Sequence, residues 1–338
     1  MTLGLVSLVG LIGLALTFDV LNGFHDSANS IATVVSTRVL SPKWAVVWAA
    51  FFNFIAFLVF GTRVASNIAK GIDPHALTLG LIAAALVGAI LWDLLTWWWG
   101  LPASSSHALI GGMAGAALVK VGPRAIDLKF FAVTGAFIVI SPLIGALLGF
   151  VFMQIVKRAF RDRKHGSVDT LFRRLQLVSA AGYSLGHGGN DAQKTMGVIV
   201  AALVATGHLS SQHGAAPKVP LWVVLACHAA MALGTAFGGW RIVKTVGTKL
   251  SKLTPPDGFC AETAGTVALM MDTLLGIPVS TTHTIAGGIV GVATARKARA
   301  IHWRTAEKIG WAWLATLPGA GLISAAALIA LKAAGVTI

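Results

Sequence analysis

Long apolar runs separated by short polar clusters set the rhythm of this chain. Runs at residues 3–16, 44–60, 77–95, 130–156, 219–238, 264–275 and 309–331 are almost uninterrupted. A helix needs about 20 apolar residues to cross a bilayer, so these runs predict membrane-spanning helices and the polar clusters predict their ends and interruptions. The first run has neither a basic leader nor a small-residue cleavage site, which marks it as a span rather than a removed signal.

The polar clusters occur in pairs. Gly100-Leu101-Pro102-Ala103-Ser104-Ser105-Ser106-His107, followed by Gly111, Gly112 and Gly115, returns as Gly276-Ile277-Pro278-Val279-Ser280-Thr281-Thr282-His283, followed by Gly287, Gly288 and Gly291. Asn22-Gly23-Phe24-His25-Asp26-Ser27-Ala28-Asn29 has a counterpart in Gly186-His187-Gly188-Gly189-Asn190-Asp191-Ala192-Gln193. Aligning Asp26 with Asp191 puts acidic motif, apolar spans and hydroxyl motif in the same order twice. The implied organisation is a first membrane repeat at 1–156, a basic linker at 157–174 and a second membrane repeat at 175–338.

Pro102 and Pro278 lack an amide donor and push the preceding residue to extended backbone, so each hydroxyl triplet is placed at the start of a new helix. Interrupted segments at matching positions of two halves point to a transport site, because irregular backbone at membrane depth survives only where it is buried or lines a cavity. The predicted fold is an all-α polytopic membrane protein of two inverted repeats with broken or re-entrant helices, roughly 10–12 membrane segments in all.

Composition removes the soluble alternatives. The chain of 338 residues is 56% hydrophobic and 11% charged, with a mean hydropathy of +0.80; soluble domains carry about 25% charged residues. Lys and Arg number 26 against 12 Asp and Glu. In a membrane chain this excess sets topology rather than binding nucleic acid. The clusters at 157–174, 241–252 and 296–308 are placed on the inner side, and 207–216, free of Lys and Arg, with the N-terminus outside. Cys227 and Cys260 lie in different apolar segments and suggest core packing, not a disulfide or metal framework. Trp92, Trp97, Trp98 and Trp99 suggest an interfacial aromatic belt.

The candidate chemistry lies in the paired clusters. Ser104, Ser105 and Ser106, with Ser280, Thr281 and Thr282, would offer hydroxyls and free N–H groups at two helix N-termini, an anion site that needs no fixed cation. Simple helix capping is the alternative for one motif; the matched duplication favours the anion site. A Ser/His nucleophile is disfavoured, since no orienting acid is present and a nucleophile is needed once. Asp26 and Asp191 are costly at membrane depth unless they face a cavity, a cation or a proton path. Asn22, His25 and Asn29 in one half, with Asn190 and Gln193 in the other, surround them with groups suited to a hard cation such as Na⁺ or to a carboxylate that takes a proton. Glu262 is positioned to face the same cavity. Lys194-Thr195 resembles the end of a phosphate-loop motif, but Gln193 replaces the required Gly, which excludes ATP binding.

The four motifs together resemble the inorganic phosphate transporter (Pit) family, over nearly the whole chain. The Asn-Gly-Phe-His-Asp form is similar to the bacterial low-affinity, proton-coupled type, which implies a multi-pass protein of the inner (plasma) membrane. The resemblance implies a secondary symporter with no cofactor, often a homodimer, and not an enzyme. It implies phosphate held by both hydroxyl motifs together with Asn22, Asn190 and Gln193. It implies coupling through Asp26 and Asp191, with His25, Asn29 and Glu262 beside them. Transport of a metal–phosphate complex is a property of the proton-coupled members. Asn53 stands where sodium-coupled relatives have Glu, whereas Glu262 matches a Glu of those relatives. A Na⁺-coupled carrier with Asp26 and Asp191 as Na⁺ ligands, or a carrier of another tetrahedral oxyanion such as sulfate, is the alternative.

Overall fold

The computed structural model describes residues 2–65, 76–209, 217–275 and 280–335. These are almost entirely helical. In chain order the helices are α1 (Thr2–Ser36), α2 (Pro42–Ile55), α3 (Leu79–Trp99), α4 (Ser105–Lys120), α5 (Leu128–Ala159), α6 (His165–Ala205), α7 (Leu221–Phe237), α8 (Trp240–Lys244), α9 (Pro255–Leu275), α10 (Thr281–Arg296) and α11 (Trp303–Ala333). Among the described residues, four are long and apolar enough to cross a bilayer: α1, α3, α5 and α11. A fifth span results if α7 is taken with Trp240–Lys249, across a bend of 60°. α6, the longest helix, is not among them.

The helices are inside out relative to a water-soluble bundle. Leu143, Leu147, Trp311 and Leu322 are each more than 60% exposed. Asp19, Asp26, Asp93, Asp191, Lys194 and Glu262 are at most 3% exposed. Large apolar side chains outside and charges within is the arrangement a hydrocarbon solvent selects.

The packing pairs are reciprocal. α4 lies on α11 and α3, and α10 on α5 and α9; α1 packs on α7 and α3, and α6 on α2 and α9. Glycine makes the tightest of these approaches possible. A Cβ on Gly188 of α6 would lie 2.5 Å from the Asn53 carbonyl of α2, and one on Gly23 of α1 would overlap the Met231 carbonyl of α7. Gly111 and Gly115 of α4 are pressed in the same way against α11, and Gly287 and Gly291 of α10 against α5.

The interruptions fall at one of the two motif types. α1 and α6 run unbroken through both acidic motifs. Gly23 and Gly188 there serve close packing. Before the first hydroxyl motif the chain does break: Gly100, at φ 66°, closes α3, and Ser104 opens α4. In the second motif Ser280 opens α10, while Gly276 to Val279, with Pro278, lie outside the described residues. The basic segment 157–174 is mostly helix, divided between the end of α5 and the start of α6, with residues 160–164 between them. The tryptophans are not all an outer belt. Trp98 and Trp99 are exposed, but the Trp92 indole donates to Thr316 Oγ1 at 3.2 Å and Trp97 packs on Phe24.

Candidate functional site

The unbroken helices α1 and α6 place Asp26 and Asp191 side by side. Ligand atoms of Asp26, His187 and Asp191 all fall within 4.8 Å of one another. His187 is one turn before Asp191 on the same face of α6, and its Nε2 lies 3.2 Å from Asp191 Oδ2. Lys194, one turn after, donates to Asp191 Oδ1 and to Ser106 Oγ of α4. A fully buried ammonium is tolerable because a carboxylate neutralises it and a hydroxyl accepts from it.

Helices α4 and α10 bring the hydroxyls. The Thr281 hydroxyl donates to Asp191 Oδ2 at 3.1 Å. Asn29 Nδ2 of α1 donates to Thr282 Oγ1 at 2.9 Å, with Thr281 Oγ1 at 3.4 Å. Tyr183 OH donates to the Thr281 carbonyl at 3.0 Å, which fixes the first turn of α10. The N-termini of both short helices therefore meet the carboxylate pair, and the unpaired N–H groups of a first turn carry partial positive charge there.

The six hydroxyls do not play one role. Ser104 Oγ accepts from His107 N at 3.3 Å, and Ser280 Oγ accepts from His283 N at 3.2 Å. These two are helix caps. Ser106, Thr281 and Thr282 join the charged cluster. Ser105 Oγ is buried with no hydrogen-bond partner among the described residues.

The remaining sequence-derived candidates divide between the cluster and its surroundings. His25 Nδ1 lies 2.7 Å from Asp26 Oδ1, and its Nε2 3.1 Å from Thr96 Oγ1 of α3. Asn22 is buried with Oδ1 unpaired. Asn190 donates to Thr273 Oγ1 at 3.2 Å and leaves its own Oδ1 unpaired. Gln193 is used elsewhere: its Oε1 accepts from Val64 N at 2.8 Å and its Nε2 donates to Gly189 O at 2.5 Å. It straps the segment after α2 to α6. Glu262 accepts from Gln176 at 3.0 Å and from Ser179 at 2.5 Å, so its oxygens are bonded to the N-terminal part of α6 and not to the Asp26–Asp191 pair.

Several participants escaped the motif search. Lys194 carried a signal, since a lysine three residues after an aspartate in an apolar segment has its partner on the same helix face. Asn53 carried none. It donates to Thr235 Oγ1 at 2.9 Å, and its Oδ1 lies 3.3 Å from His187 Nδ1, contacts that only the tertiary fold creates. His228 has Nδ1 3.0 Å from the Asn53 carbonyl.

Among the described residues, neither hydroxyl-motif histidine has a ring nitrogen hydrogen-bonded to a serine, as nucleophilic attack would need; the Ser30 hydroxyl does lie 3.5 Å from His187 Nδ1, at the limit of a hydrogen bond. The His107 and His283 rings meet edge to face at 5.0 Å, and neither ring is hydrogen-bonded to a hydroxyl or carboxylate side chain among the described residues. His283 stacks on Trp313 at 4.1 Å. The arrangement suits holding an anion and a cation together rather than breaking a bond.

Comparison with known proteins places this geometry. A model of the phosphate transporter family matches residues 22–168 and 159–324. A Rhizobium meliloti protein named "probable low-affinity inorganic phosphate transporter" is 56% identical over 325 residues, covering 96% of each chain. A Bacillus subtilis protein of the same name is 44% identical, covering 94% of this chain and 95% of its own. A solved structure titled "The sodium-dependent phosphate transporter" superposes with a TM-score of 0.83 at 26% identity, covering 98% of this chain and all of that one.

Proposed function

Because this chain belongs to the phosphate transporter family, we propose that it carries inorganic phosphate across the plasma membrane as a proton-driven symporter. The carrying observation is the convergence of two hydroxyl-bearing helix N-termini on Asp26, Asp191 and Lys194. Phosphate is bound by Ser105, Ser106, Thr281 and Thr282, the free N–H groups of α4 and α10, and the amides of Asn22 and Asn190. Ser104 and Ser280 shape the two termini by capping them, and Gln193 and Glu262 brace α6.

Coupling follows from charge. A phosphate oxyanion about 4 Å from an ionised carboxylate is repelled by about 4 kcal/mol at an effective dielectric of 20. Lys194 relieves that repulsion permanently at Asp191. Among the described residues the ion-pair partner of Asp26 is His25, at 2.7 Å. A proton taken up by the His25–Asp26 pair removes the remaining negative charge and lets the anion enter. The same proton leaves when the site opens to the other side.

The two halves form inverted repeats that rock about the shared site. The reciprocal packing of α4 on α11 and α10 on α5 supports this reading. The basic segment 157–174 joins the halves, and a homodimer is the assembly. A metal–phosphate complex is an accepted form of the substrate.

The second reading is sodium coupling, favoured by the close Asp26–His187–Asp191 group and by the sodium-dependent structural neighbour. Uptake of radiolabelled phosphate into proteoliposomes, with pH and Na⁺ gradients imposed separately, tests the proposal. Uptake driven by the pH gradient alone is the expected result. Uptake that needs Na⁺ and ignores pH replaces the proton reading, and sulfate transport at the phosphate rate removes the substrate assignment.

A further inference from the structure

A groove of about 730 Å³ opens at the end of α5, and none of its lining residues belongs to the acidic or hydroxyl motifs. Its floor is apolar, with Met153, Val156 and Phe160 from α5 and the residues that follow it. Arg161, Arg163 and Arg296 are among its basic lining residues. Helices α5, α6, α9 and α10 all contribute to it.

The groove is preformed. Arg296 pairs with Asp257, which is 1% exposed and also accepts from Thr254 N and Oγ1 at 2.7 Å. Lys157 Nζ donates to the Ala295 carbonyl at 3.1 Å and closes the end of α10. Two basic side chains are thus committed to the protein. Arg161 and Arg163 are exposed and make no ion pair or side-chain hydrogen bond among the described residues. The two carboxylates of the groove, Asp169 and Asp257, are paired with Arg173 and Arg296, so Arg161 and Arg163 stand over the apolar floor without an ion-pair partner among the described residues.

Location and charge select the occupant. α5 is a membrane-length apolar helix, and Lys157 and Arg158 lie in its last turn, which puts the groove at the bilayer surface. On the adjoining face of α5, Leu143, Leu147, Val151 and Ile155 form an exposed stripe at one-turn spacing. A soluble anion uses the arginines but gains nothing from the floor or the stripe. A phospholipid uses all three, and basic pockets between helices at this depth suit anionic headgroups. We propose that this groove binds an anionic phospholipid, its phosphodiester held by Arg161 and Arg163 and its acyl chains lying along α5.

The test uses the full-length protein in mixed micelles, with lipid retention measured by native mass spectrometry and thermal unfolding followed in parallel. The probes are phosphatidylglycerol and phosphatidylcholine, against wild type and Arg161→Ala/Arg163→Ala. Both substitutions fall on exposed, unpaired side chains, so the variant is expected to fold. Wild type should retain phosphatidylglycerol over phosphatidylcholine and unfold at a higher temperature with it. The variant should bind phosphatidylglycerol roughly thirtyfold more weakly, about fivefold per lost charge. Equal retention of both lipids, or an unchanged variant, overturns the proposal. Displacement of the lipid by millimolar inorganic phosphate overturns it in favour of a soluble anion. A change in subunit number without a change in bound lipid overturns it in favour of a contact between two copies of the chain.

Discussion

Asp26 and Asp191 occupy matching motifs yet have different partners, and the difference defines what each should do. Asp191 is bonded to Lys194 and Thr281, whereas Asp26 has His25. Asp26→Asn keeps the shape and removes the charge that a transported proton would cancel. Gradient-driven phosphate uptake in proteoliposomes should then fall to background, while phosphate-for-phosphate exchange should persist at a measurable rate. Loss of both would indicate damage to the phosphate site itself. Lys194→Met makes a separate prediction about stability. It leaves Asp191 as an uncompensated buried charge, at a cost of about 3–5 kcal/mol, and should lower the unfolding temperature markedly. Adding Asp191→Asn removes the stranded charge, so the double variant should unfold at a higher temperature than Lys194→Met alone. Additive losses would show that the pair is not energetically coupled.

Helices α4 and α10 show how one motif can serve two purposes. Ser104 caps α4, so Ser104→Ala should cost about 1 kcal/mol of stability. Ser105 makes no hydrogen bond of good geometry, although its hydroxyl faces the buried Asp93 carboxylate. Ser105→Ala should lower the unfolding temperature less than Ser104→Ala does and raise the KM for phosphate several-fold. The opposite pattern, measured by thermal unfolding and uptake kinetics, would move Ser105 out of the anion cradle. At this scale the sequence was informative where the chemistry was local. Gly-x-Pro before a hydroxyl announces a helix start, and Ser104 is found at one. The acidic motifs were less legible. A glycine can free the backbone or admit a neighbouring helix, and Gly23 and Gly188, both helical, give up a side chain so that α7 and α2 can approach. Local sequence cannot separate those uses, because the approaching carbonyl belongs to a helix distant in the chain. Gln193 and Glu262 were misplaced for a related reason. Their positions relative to the motifs were right, but the amide and carboxylate found nearer partners in Val64 and Gln176. Gly188→Leu should test the packing role by forcing α6 away from α2, with a loss of about 1–3 kcal/mol expected for overpacking and read as a lower unfolding temperature.

For the whole molecule, the informative quantity is the net charge of the loaded site. The formal charges of Asp26, Asp191 and Lys194 sum to one negative charge before any ligand enters, and among the described residues the buried acids Asp19 and Asp93 bring no cation with them. Phosphate adds negative charge, so its entry into a low-dielectric interior requires a cation to travel with it. With protons as that cation, an inward pH gradient, acid outside, should accelerate uptake, and collapsing the gradient with a protonophore should stop accumulation without preventing exchange. The His25 side chain sharpens the expectation. His25→Asn removes the titrating base but keeps a polar neighbour for Asp26, as a sodium site would accept. If protons are the driving ion, this variant should lose its response to the pH gradient. If sodium is, the variant should respond to a Na⁺ gradient as well as wild type does. Measuring both gradients on both proteins assigns the coupling ion from the way a single buried imidazole changes the transport of the whole molecule.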